Sequence, residues 1–120
     1  MYFEYAKPSD AEVRRILTET GMDVSGAHRF ISDQRILHTL DGHGVDRETR
    51  KGQLPVTKED FTKLPEYVRT ADKISIEGRT KQGLYVIRYQ KRVNGHIVVL
   101  EEHRQGKNIL AFDSMWKFKA

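Results

Sequence analysis

From Lys73 to Trp116 the sequence reads as four apolar stretches cut apart by turn-forming clusters, and a chain with such an ending must close in an antiparallel sheet. The stretches are Ile74–Glu77, Leu84–Arg92, His96–His103 and Ile109–Trp116. Asn94-Gly95 between the second and third is a strong short-range hairpin signal. Gln105-Gly106-Lys107-Asn108 turns the chain again before the fourth.

The residues before Lys73 carry helical spacing instead. Pro8-Ser9-Asp10 opens a first helix, with Ser9 or Asp10 as cap, Val13, Ile16 and Leu17 at helical intervals, and Gly21 as the stop. Ser32 or Asp33 caps a second, whose apolar stripe is Ile36, Leu37 and Leu40 and which ends at Gly42 and Gly44. Residues 45–55 read as an exposed loop. Thr57 through Asp60 is a capping box for a short third helix around Phe61 and Leu64, which Pro65 kinks or restarts. His28-Arg29-Phe30-Ile31 is too short to assign. The expectation is a single α+β domain over residues 1–120, with N-terminal helices packed on a four-stranded antiparallel meander.

The chain has no cysteine, which removes disulfides, thiolate metal sites and cysteine nucleophiles from consideration. No apolar run reaches membrane-spanning length and no signal peptide is expected ahead of the domain. The net charge of +4 is unevenly spread. Residues 1–41 hold five Lys/Arg against seven Asp/Glu, whereas residues 42–120 hold sixteen against ten. The basic part is the sheet and the loop before it, which points to a polyanion as partner.

Two groups of side chains suit chemistry on such a partner. His38 and His43 are five residues apart, a poor spacing for two ligands on one helical face, so the segment does not read as a zinc motif. His43 lies between Gly42 and Gly44, where its ring is free to exchange protons near neutral pH. The strands supply the rest, and register decides which groups meet. With a two-residue turn at Asn94-Gly95, Arg88 lies opposite Glu101, and Arg88, Gln90, Glu101, His103 and Ser114 share one face. Tyr85, Ile87, Tyr89, Val98, Leu100 and Ala111 then face the helices, beneath Leu17, Ile36, Leu37 and Leu40. With a three-residue bulged turn, Lys91 shares the face of Glu101 instead.

Several short segments, in order, resemble one family. His38-Thr39-Leu40-Asp41-Gly42-His43-Gly44, the run Gly52 to Phe61, Leu64-Pro65, Tyr89-Gln90-Lys91, Glu101-Glu102 with Arg104, and Ser114-Met115-Trp116-Lys117 are similar to segments of the phage-borne nucleases grouped with barnase, EndoU, the colicin toxins and RelE. Serine stands where that family's closing motif has threonine, which keeps the hydroxyl. The likeness spans residues 28–117, and the first 25 residues read as a variable N-terminal helix. It implies that family's fold and a metal-independent RNA endonuclease without cofactor, in a toxin or effector setting. Catalytic candidates are His43, His38, Lys91, Glu101 and Ser114, and substrate-binding candidates are Arg47, Arg50, Lys51, Gln53, Arg88, Arg104 and Trp116. The implied partners are RNA, tRNA or another structured RNA among them, and an acidic immunity protein, with no membrane. The implied protein is a monomer acting in the bacterial cytoplasm, delivered within a larger secreted or phage-associated chain. The competing expectation is a non-catalytic nucleic-acid- or protein-binding module on the same scaffold.

Overall fold

The computed structural model describes residues 1–43, 53–93 and 95–119. Among these the chain runs β1 (Tyr2–Ala6), α1 (Asp10–Thr20), β2 (His28–Ser32), α2 (Asp33–His43), β3 (Gln53–Leu54), α3 (Lys58–Thr62), α4 (Leu64–Arg69), β4 (Lys73–Arg79), β5 (Tyr85–Arg92), β6 (His96–Arg104) and β7 (Ile109–Phe118). The α+β class is as expected. The four strands after Lys73 do follow one another as antiparallel neighbours. They do not make up the whole sheet, which is mixed and seven-stranded in the order β1-β2-β7-β6-β5-β4, with β3 also on β7.

The correction comes from three short strands. β2 pairs in parallel with the start of β7, His28 opposite Ile109 and Phe30 opposite Ala111. β1 pairs antiparallel on the outer side of β2. Gln53 and Leu54, read as loop from sequence, pair with Phe118 and Lys117 at the other end of β7. β7 is therefore a central strand, pairing with β2 and β3 on one side and β6 on the other.

Local signals set the helix ends. Ser9 accepts from the Glu12 amide and Glu12 accepts from the Ser9 amide, a reciprocal cap for α1. Gly21 ends that helix at φ 77°, a left-handed conformation open to glycine. The Ser32 hydroxyl accepts from the Arg35 amide at the start of α2, and α2 continues through Gly42 to His43 instead of stopping short of it.

One face of the sheet carries the main core. Ile87, Tyr89, Ile97, Val99, Leu110, Phe112 and Met115 pack against Ile16, Val24, Val56, Leu64, Tyr67 and Val68, which come from α1, α4 and the segments beside them. Phe61 of α3 meets Phe112 edge to face at 5.7 Å. Two expected core residues lie outside: Leu17 is 46% exposed and Leu37 66%. On α1 it is Ile16 that turns inward, and on α2 Thr39.

The register also differs from the two-residue-turn reading. Arg92 pairs with His96 and Arg88 lies opposite Leu100, the register of the three-residue reading, in which Lys91 shares the face of Glu101. Glu101 and His103 thereby turn toward the helices, and Val98, Leu100 and Ala111 turn away. A bulge in β7 then shifts its second half by one residue, placing Ser114 opposite Leu100. The two one-residue offsets cancel. Arg88, Gln90 and Ser114 still share a face, the one opposite α1, α3 and α4, while Glu101 and His103 do not.

Candidate nucleic-acid interface and active site

That far face is built from alternate residues of β5, β6 and β7. Arg88 and Gln90 come from β5, Val98 and Leu100 from β6, Ser114 and Trp116 from β7. Val98 and Leu100 are buried, while Arg88, Gln90, Ser114 and Trp116 are half-exposed. Half-exposed polar groups in mid-sheet keep their hydration or trade it for a ligand.

Trp116 is the centre of the arrangement. The His43 ring lies 6.1 Å from the indole, centroid to centroid, tilted by 33°. The Arg88 guanidinium lies 5.7 Å from the indole centroid. Its NH1 donates to Glu77 at 3.0 Å, so Arg88 is held in place by its neighbouring strand. Ser114 precedes Trp116 by two residues on the same face, and its hydroxyl reaches the Asp113 carboxylate at 3.5 Å. Arg35 of α2 pairs with that carboxylate, also at 3.5 Å. Beyond Trp116, His96 and Phe118 stack at 5.1 Å and 4°.

His43 reaches this face because of its position on α2. It is the last residue of a helix that packs against β7 and β2. Its carbonyl accepts from the buried Val56 amide at 2.7 Å, which ties the helix end to the segment leading into α3. That segment is anchored in turn. Asp60 accepts from the Thr57 amide at 2.9 Å, the Tyr67 hydroxyl at 2.9 Å and the Lys117 ammonium at 3.2 Å. Burial works against ionisation of Asp60, but these donors outweigh it and hold the carboxyl below its ordinary range. Burial and the Asp60 charge push the Tyr67 phenol upward. The Glu-Asp-Phe and Trp-Lys segments singled out by resemblance thus meet in space, one residue from Trp116.

Other expected site residues lie apart from this group. His38 is exposed and five positions from His43, roughly 140° round the helix. Lys91 is on the helix-packed side, where its ammonium donates to the Thr70 carbonyl at 3.2 Å. Arg104 closes β6 at the opposite end of the face, donating to Glu102 at 2.8 Å and to the Tyr2 hydroxyl at 3.1 Å. Gln53, by contrast, is half-buried in β3 opposite Phe118, which shares the face of Trp116. Arg47, Arg50 and Lys51 lie outside the described residues.

Glu101 is the largest departure. It is fully buried and accepts from Arg29 Nε at 3.1 Å and from the Tyr5 hydroxyl at 2.9 Å. Arg29, 1% exposed, also donates from NH1 to Glu12 at 2.8 Å. Burial disfavours the Arg29 charge, but Glu101 more than restores it and Arg29 is held even more basic than usual. Burial first and Glu101 second raise the Tyr5 and Tyr89 phenols well above their ordinary value, so both stay protonated. Sequence reasoning did not find this network, although a signal was present: a carboxylate directly after Ile97-Val98-Val99-Leu100 is expected to be buried and paired.

Among the described residues no three His, Asp or Glu side chains are grouped as a metal site requires. Among the described residues no helix is long and apolar enough to cross a membrane. No curated protein and no solved structure matches the chain. One family model does, that of the phage-Barnase-EndoU-ColicinE5/D-RelE like nuclease 3, over residues 7–120, nearly the whole chain. With the match covering every element from α1 to β7, the chain belongs to this family of nucleases.

Proposed function

We propose that this nuclease domain cleaves RNA by metal-independent acid–base chemistry at the Trp116 face. The observation that carries the reading is the flanking of one half-exposed indole by a histidine and an arginine, with a serine hydroxyl on the same face. A base stacked on Trp116 brings its own phosphodiester among these groups. The ribose 2′-hydroxyl is the nucleophile: its oxygen bonds to phosphorus, its proton leaves to a base, and the bond to the 5′-oxygen breaks as that oxygen is protonated. His43 serves one of the two proton transfers. Arg88 stabilises the charge that builds on the non-bridging oxygens, and Ser114 donates a hydrogen bond to one of them. Lys91 and Glu101 have no part in this step, because one is turned onto Thr70 and the other is enclosed with Arg29.

The test is incubation with RNA in excess EDTA. The expected products carry a 2′,3′-cyclic phosphate and a free 5′-hydroxyl, and the DNA analogue stays intact. A requirement for divalent metal, or products with 5′-phosphates, would overturn the reading. An RNase of this kind is toxic to the cytoplasm that makes it. The proposal therefore includes a neutralising acidic protein that covers the His43–Trp116–Arg88 face. Induction of wild type should block colony formation, and co-expression of such a protein should restore it. Equal growth of wild type and an inactive variant at equal protein levels would remove the toxin role.

A further inference from the structure

We infer that the RNA is held unpaired, and that a separate phosphate-binding subsite beside Trp116 grips its chain. The inference rests on the nuclease reading above and adds the strandedness of the substrate and a second contact. A cavity of about 180 Å³ opens where β4 begins and β5 ends, lined by Asp72, Lys73, Gln90, Lys91, Arg92 and His96. Among the described residues that line it, three are permanent cations and one is a histidine, against a single carboxylate. That carboxylate accepts from the Arg92 backbone amide at 2.7 Å, and its charge still leaves the cations in surplus by two. Lys91 turns its ammonium to a neutral carbonyl, so its charge is not cancelled. Lys73 and Arg92 are exposed. The surplus positive charge around a concave space is the pattern that takes a phosphate.

The register places this cavity relative to the indole. Gln90 lies opposite Val98, and Val98 opposite Trp116. Two strand spacings separate them, roughly 10 Å at about 4.8 Å each. His96, on the rim, is stacked with Phe118, which follows Trp116 by two residues on the same face. One chain can therefore stack a base on Trp116 and set a neighbouring phosphate in the cavity. Stacking on the indole needs a base whose face is free, which a paired strand in a continuous helix does not offer.

The probe is a 2′-O-methyl single-stranded oligonucleotide of about ten residues, a length within known single-strand footprints and resistant to cleavage through its blocked 2′-oxygen. Its affinity is read by fluorescence anisotropy against salt for wild type, for Lys73→Ala/Arg92→Ala, and for Arg14→Ala/Lys81→Ala as a charge-matched control on exposed residues elsewhere. Two phosphates lost should flatten the log–log salt slope by about 1.4 and weaken binding about tenfold at low salt in the first variant only. A duplex of the same sequence should bind wild type about tenfold more weakly. Unchanged affinity and slope in Lys73→Ala/Arg92→Ala would overturn the subsite, as would equal losses in the control. Equal affinity for duplex and single strand would overturn the unpaired substrate. Displacement of the oligonucleotide by millimolar inorganic phosphate from wild type but not from the double variant supports the subsite, whereas phosphate binding with no effect on the oligonucleotide makes it a site for free anion and overturns it. Wild type that binds the probe through Lys73 and Arg92 yet cuts no RNA keeps the subsite and defeats the nuclease reading alone.

Discussion

Glu101→Gln separates a structural from a chemical role for the carboxylate that resemblance placed in the active site. The substitution keeps an oxygen for Tyr5 but removes the charge that faces Arg29 Nε at 3.1 Å, in a pair whose side chains are 1% and 0% exposed. With so little solvent to screen it, the pair belongs to the buried class, in which removal of one partner costs about 3–5 kcal/mol. Arg29 retains Glu12 at 2.8 Å, so the loss should fall at the lower end, about 3 kcal/mol. At about 4 °C per kcal/mol for a chain of this size, Tm should drop by roughly 12 °C. The loss is a large part of an ordinary domain's stability but leaves most molecules folded at low temperature. RNA cleavage measured well below both transitions should stay within a few-fold of wild type. A Tm within about 2 °C of wild type, together with a cleavage rate down a hundredfold or more, is the outcome expected of a proton-transfer group and would refute the reasoning.

His43→Ala should lower the RNA cleavage rate about a hundredfold or more in single-turnover assays, the scale of one acid–base group, with little change in the melting curve because the ring is only half-buried. Trp116→Ala should weaken oligonucleotide binding by about 1–3 kcal/mol, and Trp116→Phe should recover most of it; equal loss in both would deny stacking. Lys117→Met removes one of the donors that hold the Asp60 carboxyl low. A carboxyl with a depressed folded pKa adds stability above its unfolded value near 3.9 and loses it as pH falls below that. The gap between wild type and Lys117→Met in urea unfolding should therefore be widest near neutral pH and shrink below about pH 4, and a gap independent of pH would contradict it.

What could be read in advance followed distance along the chain. The caps of α1 and α3 and the strands β4 to β7 are written in contiguous residues, and each formed within a residue or two of its expected position. β1, β2 and β3 are two to five residues long and pair with partners far away in sequence, so nothing local distinguished them from loop. Leu17 and Leu37 looked buried because helical spacing marks a stripe but not its rotation. The register turned on one residue at the hairpin and one in the β7 bulge, neither of which has a side-chain signature. Arg88 and Ser114 fell on the same face as expected only because the two offsets have opposite effect. The approach of His43 to Trp116, by contrast, depends on how far α2 extends past Gly42, and the hydrogen-bonded helix overrode the flexibility that two glycines suggested.

The placement of β7 also sets a timetable. It is the last strand of the domain to leave the ribosome, yet β2, β3 and β6 all pair with it. Arg29 meets Leu110 across more than two thirds of the chain, so the inner edge of β2 waits for its partner until synthesis of the domain is nearly complete. Ser114 and Trp116 sit on that same late strand. On the function proposed above, a nascent or truncated domain lacks both the Trp116 face and the scaffold that would aim His43 at it, so activity would wait until β7 has been translated.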